Sequence, residues 1–144
     1  MNGRIRPKAV CVCWRGDEIL VGEAYDAVKR ERFFGPLGGG IEFGERAAVA
    51  VQRELREELN VALADVRLLG ILENVFTYEG KPGHEIVFVF EARLDDPHLY
   101  DREEIHGSEE GQPFVARWIP LVHFAGGAPP LYPEGLFDLL RSSR

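Results

Sequence analysis

The sequence predicts an α+β fold in which a mixed β-sheet lies between helices, and three observations carry that expectation. Strand-forming runs stand both before and after one central helical stretch, without the regular alternation that builds a doubly wound parallel sheet. The helical stretch, residues 45–59, holds neither Gly nor Pro, and Ala48, Val51, Leu55 and Leu59 recur along it at helical spacing. With 144 residues, 45% of them hydrophobic, the chain has ordinary single-domain size and can bury a core without disulfides or a structural metal. One domain over residues 1–144 is expected, since no internal repeat or linker is visible.

Residues 8–14 (KAVCVCW) and 18–23 (EILVGE) are rich in strand formers and flank Arg15-Gly16-Asp17, which predicts a hairpin. Cys11 and Cys13 are the only cysteines; in an extended segment they share one face, too constrained to bridge each other, and read as buried free thiols. Residues 35–40 (GPLGGG) are too glycine-rich for regular structure and are expected to form a structured functional loop ahead of the helix. Residues 66–77 and 85–94 read as paired strands with a turn over 78–83. The acidic stretch 95–113 is rich in turn formers, 114–119 reads as a short strand, and 133–140 as a closing helix.

Seventeen Lys and Arg against 24 Asp and Glu give a net charge of -7. Such a balance argues against duplex nucleic acid or an anionic membrane as partner, and means that a small anionic substrate would need cationic help. The opening residues, MNGRIRPKAV, lack the apolar centre of a secretory signal, and no run approaches the roughly 20 apolar residues of a membrane span. A cytoplasmic location is expected. His84, His98, His106 and His123 show no zinc spacing.

Chemistry is concentrated on the central helix. At about 100° per residue, with Val51 at zero, Leu55, Leu59 and Ala48 fall between about 40° and 80° and form the expected core stripe. Glu58 then lies about 20° to the other side, Glu54 about 60° and Glu57 about 120°. Three acids thus border the buried face. Glu54 and Glu58 are like charges at i,i+4, which costs roughly 0.2–0.5 kcal/mol, and Glu58 is partly desolvated. Arg53 can reach Glu57 but is expected to project away from the other two, so a divalent cation is the expected resolution. An all-oxygen set suits Mg²⁺, with Mn²⁺ as the alternative, and Mg²⁺ held by few protein ligands keeps positions for water and phosphate. The glycines just before the helix would let backbone approach an anion or metal closely.

Taken together, Gly39, Glu45, Arg53-Glu54-Leu55, Glu57-Glu58 and Val61 resemble the Nudix box, G-x5-E-x7-R-E-U-x-E-E-x-G-U, where U is aliphatic. Asn60 stands where that pattern has Gly. The site follows the helix and calls for a left-handed cap, for which Asn is the next-best residue. The resemblance implies an α/β/α sandwich with a mixed sheet and hydrolysis of a nucleoside diphosphate linked to another moiety, with divalent cations. It further implies Glu54, Glu57 and Glu58 as metal ligands, a metal contact from the Gly38 carbonyl, and an orienting ion pair between Arg53 and Glu45.

Beyond the box, Glu110-Gly111-Gln112-Pro113 followed by Trp118 resembles a loop from which some members supply a further catalytic or metal-binding glutamate, which nominates Glu110. Glu57, Glu58 and Glu110 compete as the base that takes a proton from the attacking water. Phe33, Phe34, Phe76, Tyr78 and His84 could stack a base, with Phe34, Tyr78 and His84 taken as the substrate contacts. Tyr78 stands about where dinucleoside polyphosphate hydrolases of the family carry a tyrosine, and the proline sometimes seen in ADP-ribose hydrolases is absent nearby. The long N-terminal extension common in dimeric ADP-ribose hydrolases is not seen, so a nucleoside triphosphate or a dinucleoside polyphosphate is expected ahead of ADP-ribose or another nucleotide sugar. A nucleotide-sensing domain without turnover is the alternative, and the intact acids count against it. A homodimer is compatible with the expected sheet.

Overall fold

The computed structural model describes residues 3–143, so the two ends of the expected 1–144 domain lie outside the described residues. Its strands are β1 (Ile5–Val12), β2 (Trp14–Arg15), β3 (Glu18–Asp26), β4 (Glu31–Gly35), β5 (Leu37–Gly40), β6 (Leu63–Tyr78), β7 (Lys81–Leu94), β8 (Glu104–Glu109) and β9 (Gln112–Pro120). The helices are α1 (Ala47–Leu59) and α2 (Leu136–Ser142). A four-stranded sheet runs β5-β1-β7-β6, with β1 parallel to β7 and the other pairings antiparallel. The mixed sheet expected from the sequence is therefore present. A second, antiparallel sheet runs β2-β3-β9-β8, with β4 also on β3.

Two apolar layers separate these elements. Ala50, Val51 and Leu55 of α1 pack with Ala9, Cys11, Phe90, Ala92, Ile105 and Trp118. On the other face of β1 and β7, Val10, Val12, Val87 and Val89 pack with Phe34, Phe124 and, from α2, Leu136 and Leu140. Consecutive residues Ala9 to Val12 are all buried because β1 is an interior strand covered on both faces. Cys11 and Cys13 are buried free thiols, with Sγ atoms 3.6 Å apart.

Several elements differ from the sequence reading. The first hairpin is only β2 with β3, turning at Gly16 (φ 62°), whereas residues 5–12 belong to the other sheet. The 35–40 segment is mostly strand: β5 pairs antiparallel with β1, Val10 opposite Gly38 and Ala9 opposite Gly39. Glycine is needed there for close approach: a Cβ on Gly38 would collide with the Ala9 carbonyl oxygen. The acidic stretch contains β8, an edge strand paired with β9 through a two-residue turn at Glu110-Gly111, where φ is 50° and 82°. The turn between β6 and β7 is likewise two residues, Glu79-Gly80, shorter than 78–83. Both turns place positive φ at their two central residues, the arrangement that matches the twist of a hairpin. Asn60 caps α1 in the left-handed conformation (φ 55°, ψ 44°), as the sequence implied. No helix among the described residues is long and apolar enough to cross a membrane.

Candidate active site

The buried arc of α1 is turned toward the acids. Ala48 is exposed, while Ala50, Val51, Leu55 and Glu58 are buried. By the same arithmetic Ala50 lies at about 100° on the acidic side of Val51, so Glu54 and Glu58 fall within the buried arc rather than along its border. One reason is that α1 packs on β5, where Gly39 lies directly against Glu54.

Arg53 organises the outer part of the site. Its Nε and Nη2 donate to the two carboxylate oxygens of Glu45 at 2.7 and 2.9 Å, a fork that ties the segment before α1 to the helix. Nη2 also donates to the Gly40 carbonyl at 3.0 Å, and Nη1 to Glu54 Oε1 at 3.0 Å and Glu57 Oε1 at 3.1 Å. The Arg53–Glu45 pair implied by the family pattern is thus formed. The expectation that Arg53 turns away from Glu54 is corrected: its long stem swings across the helix surface, so one guanidinium serves three carboxylates. These contacts hold the Glu45 carboxyl down to about 2, chiefly through the Arg53 hydrogen bond, and raise the proton affinity of the guanidinium itself.

Glu58 receives no such partner. It is 4% exposed, and its Oε1 is buried without a hydrogen bond. Burial first, then the negative charges of Glu109 and Glu54, push its carboxyl up to about 9, while the Gly38 backbone N–H acts in the opposite direction. Glu54 is raised as well, by burial against the pull of Arg53, with Glu57 and Glu109 adding repulsion. Glu54, Glu58 and Glu109 therefore crowd their carboxyl groups beside Gly38, with Glu58 kept protonated in the absence of a cation, and a hard cation that would let it ionise fits this chemistry. Among the described residues no three such side chains stand fully converged as a metal cage. A cation that keeps most of its water does not require one.

Glu58, Gly38, Glu109 and Glu110 line one cavity of about 660 Å³, walled also by Pro36, Gln112 and Phe114. Glu110, the sequence nominee, sits on this wall at the hairpin turn, but its neighbour Glu109 is the one that acts on Glu58 and Glu54. Sequence reasoning missed Glu109. Alternation along β8 from the buried Ile105 was the available signal, since it aims Glu109 and Ile105 to one face. Glu57 does not line the cavity; its side chain is 57% exposed and rests on Arg53.

A second recess of about 350 Å³ opens nearby between β3–β4 and the β6–β7 hairpin, lined by Phe33, Phe76, Tyr78, Tyr132, Asp26 and Lys8 among others. Phe33 meets Tyr78 and Tyr132 edge-on, with ring centres 5.7 and 5.4 Å apart. The three nominated substrate contacts lie in different places, and Phe34 lines the carboxylate cavity rather than this recess. Phe34 alternates away from Phe33 and packs its ring in the core against Phe124 at 5.5 Å. His84 precedes Glu85, which lines the recess, so it faces the other side of the sheet, where its Nε2 is buried without a partner. Only Tyr78 of the three reaches the recess with its ring. Tyr132 was missed because residues 130–132 lack any strand pattern; the segment is held beside β4 by Phe34 N–H to Pro130 O (3.0 Å) and Tyr132 N–H to Phe34 O (2.8 Å).

Comparison with known proteins agrees with this geometry. The NUDIX domain family profile matches residues 4–136. Two curated relatives, each named NAD-capped RNA hydrolase NudC, from Mycobacterium tuberculosis and Mycobacterium bovis, are 42% identical over 67 residues. That alignment covers 46% of this chain and 21% of each relative. The fold is similar to a MutT NUDIX hydrolase from Burkholderia pseudomallei, with a TM-score of 0.61 and 22% identity over 83% of this chain and 85% of that one. It is also similar to a NUDIX hydrolase from Nitrosomonas europaea, with a TM-score of 0.65 and 15% identity over 96% and 87%. The profile match spans nearly the whole chain, from β1 to the start of α2, and includes the box residues assembled around Arg53 and Glu58: the chain belongs to the Nudix hydrolase family.

Proposed function

We propose that this protein hydrolyses a pyrophosphate bond in a nucleoside diphosphate linked to another moiety, with Mg²⁺ or Mn²⁺ held at the Glu54, Glu58 and Glu109 cluster. The observation that carries the reading is the buried Glu58 carboxyl, which has an unpartnered oxygen and two acidic neighbours. Leaving such a group uncompensated is costly, so the arrangement is best explained by a cation it exists to receive. A cation held there would supply neutralisation of phosphate charge and a lowered pKa for the attacking water.

This chain's own groups then divide the remaining work. Gly38 presents backbone close to the cluster, and the Arg53–Glu45 fork locks α1 against the preceding segment so that Glu54 and Glu58 keep their places. Glu58 and Glu110 line the cavity, which supports either as acceptor of the water's proton over the third candidate, Glu57, whose carboxylate pairs with Arg53. The aromatic recess of Phe33, Tyr78 and Tyr132 takes the base. Nucleoside triphosphates and dinucleoside polyphosphates are the favoured substrates, and the name borne by the mycobacterial relatives supports an NAD-type dinucleotide within the second group.

The test is release of phosphate or mononucleotide from a panel of nucleoside triphosphates, dinucleoside polyphosphates, NAD and ADP-ribose with Mg²⁺. Wild type is compared with Glu57→Gln and Glu58→Gln. Turnover by wild type that Glu58→Gln loses is expected. Wild-type release no greater than that of the variants on every compound would instead indicate a nucleotide-sensing module.

A further inference from the structure

Between the aromatic recess and the carboxylate cavity lies a narrow seam, lined by Gly38, Gly39 and Glu109 at one end and by Asn74, Glu85 and Tyr132 at the other. Among the described residues Lys8 is its one cationic lining residue, and it also lines the aromatic recess. The ammonium is not left to wander. Its Nζ stands 3.1 Å from Glu85 Oε2, with the Lys8 side chain 30% exposed and that of Glu85 12%. Glu85 Oε1 meets Asn74 Nδ2 at 3.5 Å, and Asn74 Oδ1 accepts the Glu134 backbone N–H at 3.0 Å. Asn74 and Glu85 are both buried, so a connected set of side chains fixes one cation over the seam.

The cation beside the acids of α1 is already committed. Arg53 spends its guanidinium on Glu45, Glu54, Glu57 and the Gly40 carbonyl. Arg6 and Lys29 line the aromatic recess but not the seam, so among the described residues Lys8 is the side-chain cation an anionic group meets in the seam itself. A base seated in the recess against Phe33, Tyr78 and Tyr132 and a reacting phosphate at Glu58 would set the intervening phosphate over this ammonium.

We propose that Lys8 forms a phosphate subsite that grips the nucleotide phosphate adjoining the nucleoside, with Glu85 and Asn74 as the residues that position it. The inference rests on the nucleotide-binding part of the reading above. The Lys8 ammonium keeps two further N–H donors beyond the Glu85 contact, enough for the non-bridging oxygens of one phosphate. The cation supplies affinity for the charged phosphate and none for an uncharged nucleoside, which makes the two probes separable.

The experiment measures affinity of the intact protein for AMP, GMP, CMP and UMP and for the corresponding nucleosides by titration calorimetry in EDTA. Wild type is compared with Lys8→Met, Lys8→Arg and the double variant Lys8→Met/Glu85→Gln. The double variant guards against misfolding, because Lys8→Met alone leaves a buried carboxylate without its cation. For the mononucleotide that wild type binds best, Lys8→Met and the double variant should lose about 10-fold or more in affinity, one charged contact's worth. Lys8→Arg should retain most of it, and nucleoside affinity should stay unchanged. Equal losses for nucleotide and nucleoside, an unaltered nucleotide affinity in the folded double variant, or no mononucleotide binding by wild type would each overturn the proposal. Hydrolysis is not measured here, so absence of turnover in the substrate panel would sink the catalytic reading without touching this one.

Discussion

The carboxylate of Glu54 occupies the place where a side chain on Gly39 would begin: a Cβ there would stand 2.5 Å from Glu54 Cδ. The family glycine at this position is therefore a packing requirement of the acidic helix against β5, met by removing every side-chain atom. Because Arg53 holds Glu54 Oε1 at 3.0 Å, the carboxylate cannot retreat freely. Gly39→Ala should fold and yet weaken divalent-cation affinity about 10-fold or more, the scale on which supporting contacts tune a metal site. Mn²⁺ titration followed by electron paramagnetic resonance reads the change; unaltered affinity would show that Glu54 can move aside at no cost to the site.

Arg53→Lys should not be conservative. Lysine keeps a charge but lacks the fork that meets both oxygens of Glu45 while reaching Glu54 and the Gly40 carbonyl. The expected result is a loss of about 1–3 kcal/mol in chemical denaturation, with turnover falling more than 10-fold. A variant with full activity and stability would mean that the fork does not fix the carboxylates.

Glu109 and Glu110 give a direct comparison between neighbours on one hairpin. Glu109 raises the proton affinity of both Glu58 and Glu54, whereas Glu110 only lines the cavity wall at the turn. Glu109→Gln should raise the Mg²⁺ concentration needed for half-maximal turnover by about 10-fold. Glu110→Gln should lower kcat with little change in Mg²⁺ requirement if it accepts the proton, and change neither if it does not. Mg²⁺ dependence altered by Glu110→Gln but not Glu109→Gln would reverse the assignment.

Glu58 makes stability depend on pH in a particular direction. Its folded-state carboxyl titrates at about 9, above the ordinary value of 4.5. Between those values the folded protein holds a proton that the unfolded chain has released. The contribution is therefore complete below about pH 4.5 and is lost as pH rises toward 9. Glu45 and Asp26 act oppositely, since both are held below their usual range; their contribution is lost only as pH falls through the acid region. In EDTA, urea denaturation from pH 5 to 9 should show wild-type stability declining relative to Glu58→Gln, and excess Mg²⁺ should remove the decline. Parallel profiles in EDTA would contradict the assigned burial.

Asp26 braces the aromatic recess. It is 2% exposed; Oδ1 accepts the N–H groups of Val28 and Lys29, and Oδ2 that of Glu79 at 3.0 Å, so one carboxylate joins the β3–β4 turn to the β6–β7 turn. Asp26→Ala should cost about 1–3 kcal/mol and raise KM more than it lowers kcat. Hydrogen exchange at Glu79 should quicken together with that at Val28 and Lys29. Protection unchanged at Glu79 would show that the two turns are held together by other means.

The sequence made the carboxylate chemistry legible because it lies on one helix, where spacing converts directly into angle. The positions of Glu54 and Glu58 and the Asn60 cap were readable there, but the reach of Arg53 to Glu54 was not, and the exposed Ala48 shows that the buried arc depends on what α1 packs against. Partners brought in from other strands were not readable in the same way. Glu109 acquires its role only when β8 pairs with β9, and Tyr132 only when an irregular segment lies along β4. Phe34 and His84 lie outside the aromatic recess for one reason: in a strand each residue faces opposite to its neighbour, so Phe33 and Glu85 line the recess in their stead. The strand at Leu37–Gly40 went unseen because glycine is a poor strand former in general, and here it answers to close approach.

The most direct test of metal-dependent chemistry at these carboxylates is hydrolysis of the best compound in the panel, with Mg²⁺ titrated upward from EDTA, by wild type and by Glu54→Gln/Glu58→Gln. Wild-type turnover should be absent in EDTA and saturate with Mg²⁺, and the double variant should lose about 100-fold or more at saturation. Turnover that persists in EDTA, or that the double variant matches, would contradict it.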